Sequence, residues 1–147
     1  MPVLGLDTSN YTTSAAVFDG QDGLNASRLL TVKEGELGLR QSEALFQHVQ
    51  RLPGQVEKLA QSGLLRDIRA VGASTRPRAV EGSYMPCFLA GTSQGQSMAY
   101  LLGVPFFAVS HQQGHLAAAA WSAGHLELMD RPFLAWHMSG GTTELLR

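Results

Sequence analysis

Two histidines, His111 and His115, lie four residues apart in a segment whose pattern predicts the first turn of a helix. This spacing places two side chains one above the other on the same helical face, close enough for both imidazoles to bind one divalent ion. The pair is therefore a candidate metal site. The alternative, that one ring caps the helix and the other packs against the core, stays open.

The same spacing occurs in the His-Glu-x-x-His signature of zinc proteases, where the glutamate is the general base for a metal-bound water. Here the residue after the first histidine is Gln112, and an amide side chain does not accept a proton. Proteolysis by that route is therefore disfavoured.

Two short polar turns are candidates for phosphate binding. Ser139, Gly140 and Gly141 connect two predicted strands, and successive glycines expose backbone N–H groups that can hold a phosphate. Thr8 and Ser9 begin a similar turn between the first two predicted strands. Two hairpins with this layout are typical of the actin, sugar-kinase and heat-shock-chaperone superfamily, which holds ATP between them.

The elements around these residues alternate between strands and helices after an initial antiparallel meander of three strands. Hydrophobic periodicity predicts strands over residues 3–8, 12–19, 24–32, 68–75, 105–109, 132–138 and 143–147. It predicts helices around residues 45–52, 56–63, 87–102 and 111–124, with Pro53 separating the first two. This order predicts an α/β fold, the ribonuclease H-like lobe of an actin-like ATPase.

Composition limits the classes of protein. A chain of 147 residues with 44% hydrophobic residues can bury one good core. Its formal charge of −1 gives no general attraction to nucleic acid, and no apolar run reaches membrane-spanning length. Cys87 is the only cysteine, which excludes an internal disulfide and favours a reducing, cytoplasmic location.

Four single residues complete the candidates. Asp7 lies near the end of the first predicted strand and either positions a metal-bound water or caps the turn. His137 precedes the glycine turn and faces a cleft, the core or, from an exposed strand, solvent. We expect His48 at the surface of the first helix and Cys87 as a small buried residue rather than a nucleophile.

Three motifs in this order resemble the glycoprotease family, which includes tRNA threonylcarbamoyladenosine transferase, also called O-sialoglycoprotein endopeptidase. They are Leu4-Gly-Leu-Asp-Thr-Ser9, Ser110-His-Gln-Gln-Gly-His-Leu116 and Ser139-Gly-Gly-Thr-Thr-Glu-Leu145. The resemblance spans essentially the whole chain, but only the N-terminal portion of such a protein. It implies an N-terminal actin-like lobe over residues 1–131 and the first hairpin of a second lobe over 132–147.

The resemblance also implies a function for each motif. His111 and His115 would bind iron or zinc together with a distant aspartate near the C-terminus of the family's proteins. Thr8 and Ser9 would belong to the first phosphate turn, and residues 139–141 to the second, with ATP or an adenylate between them. The full-length protein would then be a metal-dependent acyl or carbamoyl transferase acting on tRNA, and the 147 residues alone would be inactive.

Three departures from the family's motifs indicate a divergent paralogue. The turn after Ser9 reads Asn10-Tyr-Thr-Thr13 and lacks the two acidic residues usual there. Thr142 replaces a histidine after the second glycine pair, and residues 76–84 replace a Gly-Pro-Gly loop. The alternatives to a transferase are a non-catalytic nucleotide-binding partner subunit that dimerises through this lobe, and a metalloendopeptidase.

The apolar strand near the end of the chain predicts self-association. Phe133, Leu134, Trp136 and Met138 belong, by resemblance, to a sheet of the second lobe. Exposed large apolar side chains forgo roughly 1.5–3 kcal/mol each, and an unpaired strand offers open hydrogen-bonding groups. We therefore expect a homodimer, or pairing with a related subunit, in which residues 132–147 make many of the contacts.

Overall fold

The structure is a computed structural model that describes residues 1–35, 38–138 and 143–146. Its elements are β1 (Val3–Asp7), β2 (Thr12–Phe18), β3 (Gly23–Leu29), α1 (Gln41–Gln61), β4 (Ala70–Arg76), α2 (Leu89–Leu102), β5 (Phe106–Ser110), α3 (His111–Ser122), β6 (Ala135–Met138) and β7 (Thr143–Leu146). Short 3₁₀ helices lie at Pro86–Phe88 and Leu126–Asp130. The chain divides into two compact units, Met1–His111 and Gln112–Arg147.

The first unit contains a five-stranded sheet in the order β3-β2-β1-β4-β5. β1, β2 and β3 form the predicted antiparallel meander, and β4 and β5 run parallel to β1. Parallel strands need crossover connections, and α2 supplies the one between β4 and β5. The predicted fold class, an α/β lobe of the actin-like, ribonuclease H-like type that begins with a three-stranded antiparallel meander, is confirmed.

The core of this unit follows from alternation along the strands. Every second residue of β1 and β2 is buried, including Leu4 and Leu6, and these side chains pack with Leu52 and Leu59 of α1. α2 lies close to the sheet because its inner face is small. A Cβ atom at Gly95 would stand 3.0 Å from a ring carbon of Phe106.

The prediction that Pro53 separates two helices is wrong. α1 continues through Pro53, which lies on its exposed side. A proline inside a helix costs about 3 kcal/mol because it removes one backbone hydrogen bond. The turns on both sides of Pro53 bury one continuous face that includes Leu52 and Leu59, and this burial offsets the cost.

The prediction that His48 lies at the helix surface is also wrong. His48 is fully buried, and its Nδ1 atom lies 2.8 Å from the Thr13 hydroxyl oxygen. Burial lowers the pKa of His48 to about 4, so the ring is neutral at pH 7. The histidine therefore joins α1 to β2 through a buried hydrogen bond.

The second unit contains nearly all of α3 and the antiparallel hairpin of β6 and β7. The lobe boundary predicted at residue 131 concerns a longer protein and stays a prediction. Among the helices of the described ranges, none has the length and apolarity required to cross a bilayer.

The faces of the hairpin are opposite in polarity to those of the core sheet. His137 and Glu144 face each other on its half-buried side, whereas Trp136 is 67% exposed and Met138 76% exposed. Leu134 and Leu145 are also exposed, so the apolar side of the hairpin faces solvent in this structure.

Candidate functional site

The carboxyl ends of the parallel strands place three polar residues at one edge of the sheet. Asp7 is the last residue of β1, Ser74 lies near the end of β4, and His111 directly follows β5. In sheets with parallel strands this edge is the usual location of ligand sites. The fold thus brings together residues that lie 67 and 104 positions apart in sequence.

Asp7 is the centre of this group, named here the Asp7 cluster (Asp7, Ser9, Ser74 and His111). The Ser74 hydroxyl donates to Asp7 Oδ2 at 2.5 Å, and His111 Nδ1 lies 2.7 Å from the same oxygen. The backbone N–H of Ser9 donates to Asp7 Oδ1 at 2.8 Å. Burial raises the pKa of Asp7, but the hydrogen bonds from His111, Ser74 and Ser9 outweigh it and lower the pKa to about 2.

The ionised carboxylate determines the proton position on His111. A carboxylate only accepts hydrogen bonds, so His111 Nδ1 carries the proton that points at Asp7. Any metal bound by this ring is therefore held by Nε2. A histidine whose other nitrogen donates to a carboxylate is the usual arrangement of a metal ligand, because the carboxylate fixes the ring and raises its basicity. Of the two roles predicted for Asp7, the cap on the turn is seen in its bond from the Ser9 N–H, and the positioning of a metal-bound water stays a prediction.

His115 lies one turn after His111 in the same helix. In the second unit its ring lies near that of His137, with centroids 6.1 Å apart and planes inclined by 33°. As they stand, no three His, Cys, Asp or Glu side chains of the described residues are grouped to hold a metal ion. The assignment of His111 and His115 as ligands therefore stays a prediction.

Glu144 lies beside His137 and is bonded in turn to Gln112. Glu144 Oε2 lies 3.9 Å from His137 Nδ1 and accepts a hydrogen bond from Gln112 Nε2 at 3.1 Å. His137 Nδ1 is buried and makes no hydrogen bond within the described residues. Gln112, at the position of the protease base, is thus a donor to a carboxylate.

Thr8 and Ser9, predicted in the first phosphate turn, are both engaged within the fold. The Thr8 hydroxyl donates to the Cys87 carbonyl oxygen at 2.9 Å and accepts from the Gly91 N–H at 3.1 Å, which joins the turn to α2. The backbone N–H of Ser9 bonds Asp7. The turn itself closes with a hydrogen bond from the Thr12 N–H to the Ser9 carbonyl oxygen, and Asn10 adopts a positive φ of 35°.

The second predicted phosphate turn lies outside the described residues. Ser139, Gly140 and Gly141 belong to it, together with Thr142. Cys87 is buried, as predicted, and burial raises the pKa of its thiol, so it lacks the character of a nucleophile.

Sequence reasoning missed Ser74 and Glu144. Ser74 follows a buried strand without a motif of its own, and only the parallel pairing of β1 with β4 brings it to Asp7. For Glu144 a signal was present: it lies on a predicted return strand, and a tight hairpin places it opposite His137.

Comparison with known proteins identifies the family. The family model of TsaD, tRNA N6-adenosine threonylcarbamoyltransferase, matches residues 30–147. The chain therefore belongs to the TsaD family, which confirms the resemblance to the glycoprotease family.

Relatives support this assignment. The tRNA N6-adenosine threonylcarbamoyltransferase of Ralstonia pickettii is 34% identical over 152 residues, covering 100% of this chain and 42% of the relative. An enzyme of the same name from Thermus thermophilus is 36% identical over 149 residues, covering 99% of this chain and 43% of the relative. The chain thus spans about two fifths of the length of these relatives.

A solved structure supports the fold. YeaZ from Pseudomonas aeruginosa superposes with a TM-score of 0.59, covering 99% of this chain and 64% of that one. At 20% sequence identity this similarity concerns the fold alone.

Proposed function

We propose that the full-length protein carrying this sequence is a metal- and nucleotide-binding transferase that moves a threonylcarbamoyl group onto an adenosine of tRNA. Family membership supports the reaction class. The observation that carries the metal-dependent part is the Asp7–His111 hydrogen bond of 2.7 Å at the carboxyl edge of the sheet, one helical turn before His115.

The residues fit an iron or zinc ion in their chemistry. Asp7 holds the His111 proton on Nδ1 and leaves coordination to Nε2, while Ser74 holds the Asp7 carboxylate in place. His115 supplies a second imidazole on the same helix. Such an ion, when bound, polarises a carbonyl oxygen and so favours attack by the adenosine amine. Two imidazoles fall short of the three or four ligands of a stable site, so we expect weak metal binding unless other residues contribute.

The groups of the first turn that would bind nucleotide phosphates are not the Thr8 hydroxyl and the Ser9 N–H. The Thr8 hydroxyl and the Ser9 N–H already hold the fold together. The Ser9 hydroxyl and the backbone after it are therefore the donors we assign to a phosphate, with residues 139–141 as the second turn. The adenine pocket of the superfamily lies in the second lobe, so we expect ATP to bind this chain only at about millimolar concentration, or about −4 kcal/mol.

The transferase proposal is tested with the full-length gene product, unmodified tRNA and threonylcarbamoyl-adenylate. Digested tRNA should contain the modified adenosine by mass spectrometry, and His111→Ala should reduce its yield strongly. The matched control is His125→Ala, because His125 is an exposed imidazole paired with Glu127. A product that modifies no tRNA, or a His111→Ala protein as active as the parent, would contradict the proposal.

The alternative of a partner subunit rests on the exposed side of the hairpin. Trp136, Met138 and Leu145 are each more than half exposed, which is an unusual concentration of apolar surface. We propose that residues 132–147 contribute to a homodimer or to pairing with a related subunit. This association is compatible with either function, and the absence of tRNA modification together with strong association would favour the non-catalytic subunit.

A further inference from the structure

Two arginines mark the opposite ends of β4. Arg69 precedes this strand and Arg76 is its last residue. Because β4 runs parallel to β1, Arg76 lies at the same edge of the sheet as Asp7, where ligand sites usually occur. Arg76 also begins residues 76–84, which replace the family's Gly-Pro-Gly loop. This edge therefore carries a positive charge that a Gly-Pro-Gly loop does not have.

Arg76 is a neighbour of Ser9 in the register of the sheet. β1 and β4 pair in parallel up to the hydrogen bond between the Ser74 hydroxyl and the Asp7 carboxylate. Two residues further along the two chains are Ser9 and Arg76, and neighbouring strands lie about 4.8 Å apart. A side chain as long as that of arginine can therefore reach a ligand held at the Ser9 hydroxyl.

A β-bulge sets the end of β4. The register between β4 and β5 shifts by one residue between Ser74 and Arg76. The Thr75 hydroxyl donates to the Val109 carbonyl oxygen at 3.3 Å and so joins the bulge to β5. Bulges bend a strand and change the direction of its side chains, and they are frequent next to active sites. The position of Arg76 is therefore determined by a bulge of this kind.

The guanidinium of Arg76 lacks a counterion in the part of the chain that the structure describes. It makes neither a hydrogen bond nor an ion pair with those residues, although Arg76 is half-buried. A partly desolvated cation without a counterion costs free energy, and a bound anion offsets this cost. Arg78, in the same loop, is exposed and has a partner within the protein.

A phosphate at the first turn needs a cation because Asp7 is ionised. The pKa of Asp7 is lowered to about 2, so its carboxylate is charged at pH 7 and repels an anion bound next to it. Carboxylates beside a phosphate can hold a magnesium ion that neutralises it, but residues 10–13 lack the two acidic residues usual in the family. A guanidinium on the neighbouring strand meets the same need.

We propose that the Arg76 guanidinium binds the phosphate of the adenylate substrate, beside the Ser9 hydroxyl. A planar guanidinium offers two parallel N–H donors to two phosphate oxygens, which a lysine ammonium does not. The phosphate is then held from the ends of two neighbouring strands, β1 and β4. The inference rests on nucleotide binding in the proposed function, and it names the residue that recognises the phosphate.

The test compares a nucleotide with and without its phosphate. Calorimetry measures the affinity of the full-length gene product for adenosine monophosphate (AMP) and for adenosine, in the parent and in Arg76→Gln, Arg76→Lys and Arg69→Gln. Arg76→Lys keeps the charge but loses the planar fork. Arg69→Gln is the matched control, because it removes the same charge from the other end of β4. That end is roughly 20 Å away, beyond the screening length of about 10 Å.

We expect Arg76→Gln to weaken AMP binding at least about tenfold and adenosine binding less than about twofold. Arg76→Lys should show a smaller loss, and Arg69→Gln should bind both ligands as the parent does. If Arg76→Gln binds AMP as tightly as the parent, the inference is overturned and the proposed function stands. Equal losses for AMP and adenosine would also overturn it, because they indicate altered folding rather than lost phosphate binding.

Two further outcomes separate the inference from the proposed function. A parent protein that binds neither AMP nor adenosine contradicts both the inference and the nucleotide-binding part of the proposed function. Binding of unmodified tRNA is measured in parallel. If Arg76→Gln weakens tRNA binding and leaves AMP binding unchanged, the arginine contacts an RNA phosphate, and the inference is overturned while the transferase proposal stands.

Discussion

The pair of His111 with Asp7 and the pair of His137 with Glu144 join the same two chemical groups, an imidazole and a carboxylate, in different ways. In the first unit, His111 Nδ1 lies 2.7 Å from Asp7 Oδ2, and the Ser74 hydroxyl and the Ser9 N–H also donate hydrogen bonds to this carboxylate. In the second unit, His137 Nδ1 lies 3.9 Å from Glu144 and makes no hydrogen bond to any residue that the structure describes. The Asp7 carboxylate therefore orients its imidazole, whereas the Glu144 carboxylate accepts a hydrogen bond from Gln112 instead.

The two sheets differ in the same sense. The five-stranded sheet buries its apolar alternate residues under α1 and α2, as a stable core requires. The hairpin of β6 and β7 leaves its apolar side in solvent. The first unit therefore has a buried core of its own, whereas the second leaves apolar surface exposed, to which we assign the proposed association.

The largest expected difference between the two units concerns equivalent leucine substitutions. Leu52→Ala removes a fully buried side chain and should cost about 2–5 kcal/mol of unfolding free energy. Leu145→Ala removes a side chain that is 54% exposed and should cost less than about 1 kcal/mol. Urea unfolding followed by circular dichroism measures both, and tryptophan fluorescence reports the second unit because both Trp121 and Trp136 lie there. Equal losses of unfolding free energy in the two variants would contradict the difference in burial between the two units.

Ser74→Ala tests how much the hydrogen bonds to the Asp7 carboxylate contribute to the free energy of unfolding. Ser74 is buried and donates to an ionised carboxylate, so its loss should cost about 1.5–3 kcal/mol. Gln112→Ala removes the corresponding donor to Glu144 and should cost only about 0.5 kcal/mol, because Gln112 is only partly buried whereas Ser74 is buried. Urea midpoints of the two variants provide the comparison. If Gln112→Ala costs as much unfolding free energy as Ser74→Ala, the expected difference between the two donors is refuted.

His48 makes the unfolding free energy of the first unit depend on pH. Its folded-state pKa of about 4 lies below the ordinary value of 6.5 because burial disfavours the charged ring, so protons bind the unfolded chain more tightly. This contribution to stability is complete above about pH 6.5 and falls as the pH decreases toward 4, by about 2 kcal/mol at pH 5. His48→Gln should remove that slope, and His125→Gln should retain it. A parent chain equally stable at pH 7 and pH 5 would show that His48 titrates normally.

The smallest effect on stability is expected from the end of the chain. Removing residues 132–147 should change the unfolding free energy of the first unit by less than about 0.5 kcal/mol, yet convert a dimer into a more soluble monomer. Trp136→Lys combined with Met138→Lys should do the same without truncation. Tyr100→Lys, at an exposed position of α2, is the control. Sedimentation of the intact chain as a monomer at high concentration would refute self-association through this segment.

Most of the fold could be predicted from the sequence because it depends on local periodicity. Alternation in β1 and β2 and the small face of α2 determine which residues are buried. The two errors arose where tertiary packing overrides a local rule. Packing of the turns on both sides of Pro53 outweighs its helix-breaking tendency. The hydrogen bond with Thr13 allows the polar ring of His48 to be buried in the core.

The site was predictable only in part. His111 and His115 have a spacing with chemical meaning, and Asp7 ends a recognisable strand. The contact of Asp7 with Ser74 and His111 depends on strand order, which no local pattern in the sequence determines. The family's motifs do not indicate which side chains lie around His137. Only the structure shows that Glu144 and His115 are its neighbours.

The central claim, that the imidazoles of α3 bind a divalent metal, is tested most directly by nitrogen NMR of the histidine rings during zinc titration. The chain has five histidines, and each ring reports its own protonation and coordination. We predict that His111 keeps its Nδ1 proton and coordinates through Nε2, that His115 shifts with it, and that His48 and His125 stay unchanged. Zinc-induced shifts confined to His125, or none in His111 and His115, would contradict the account.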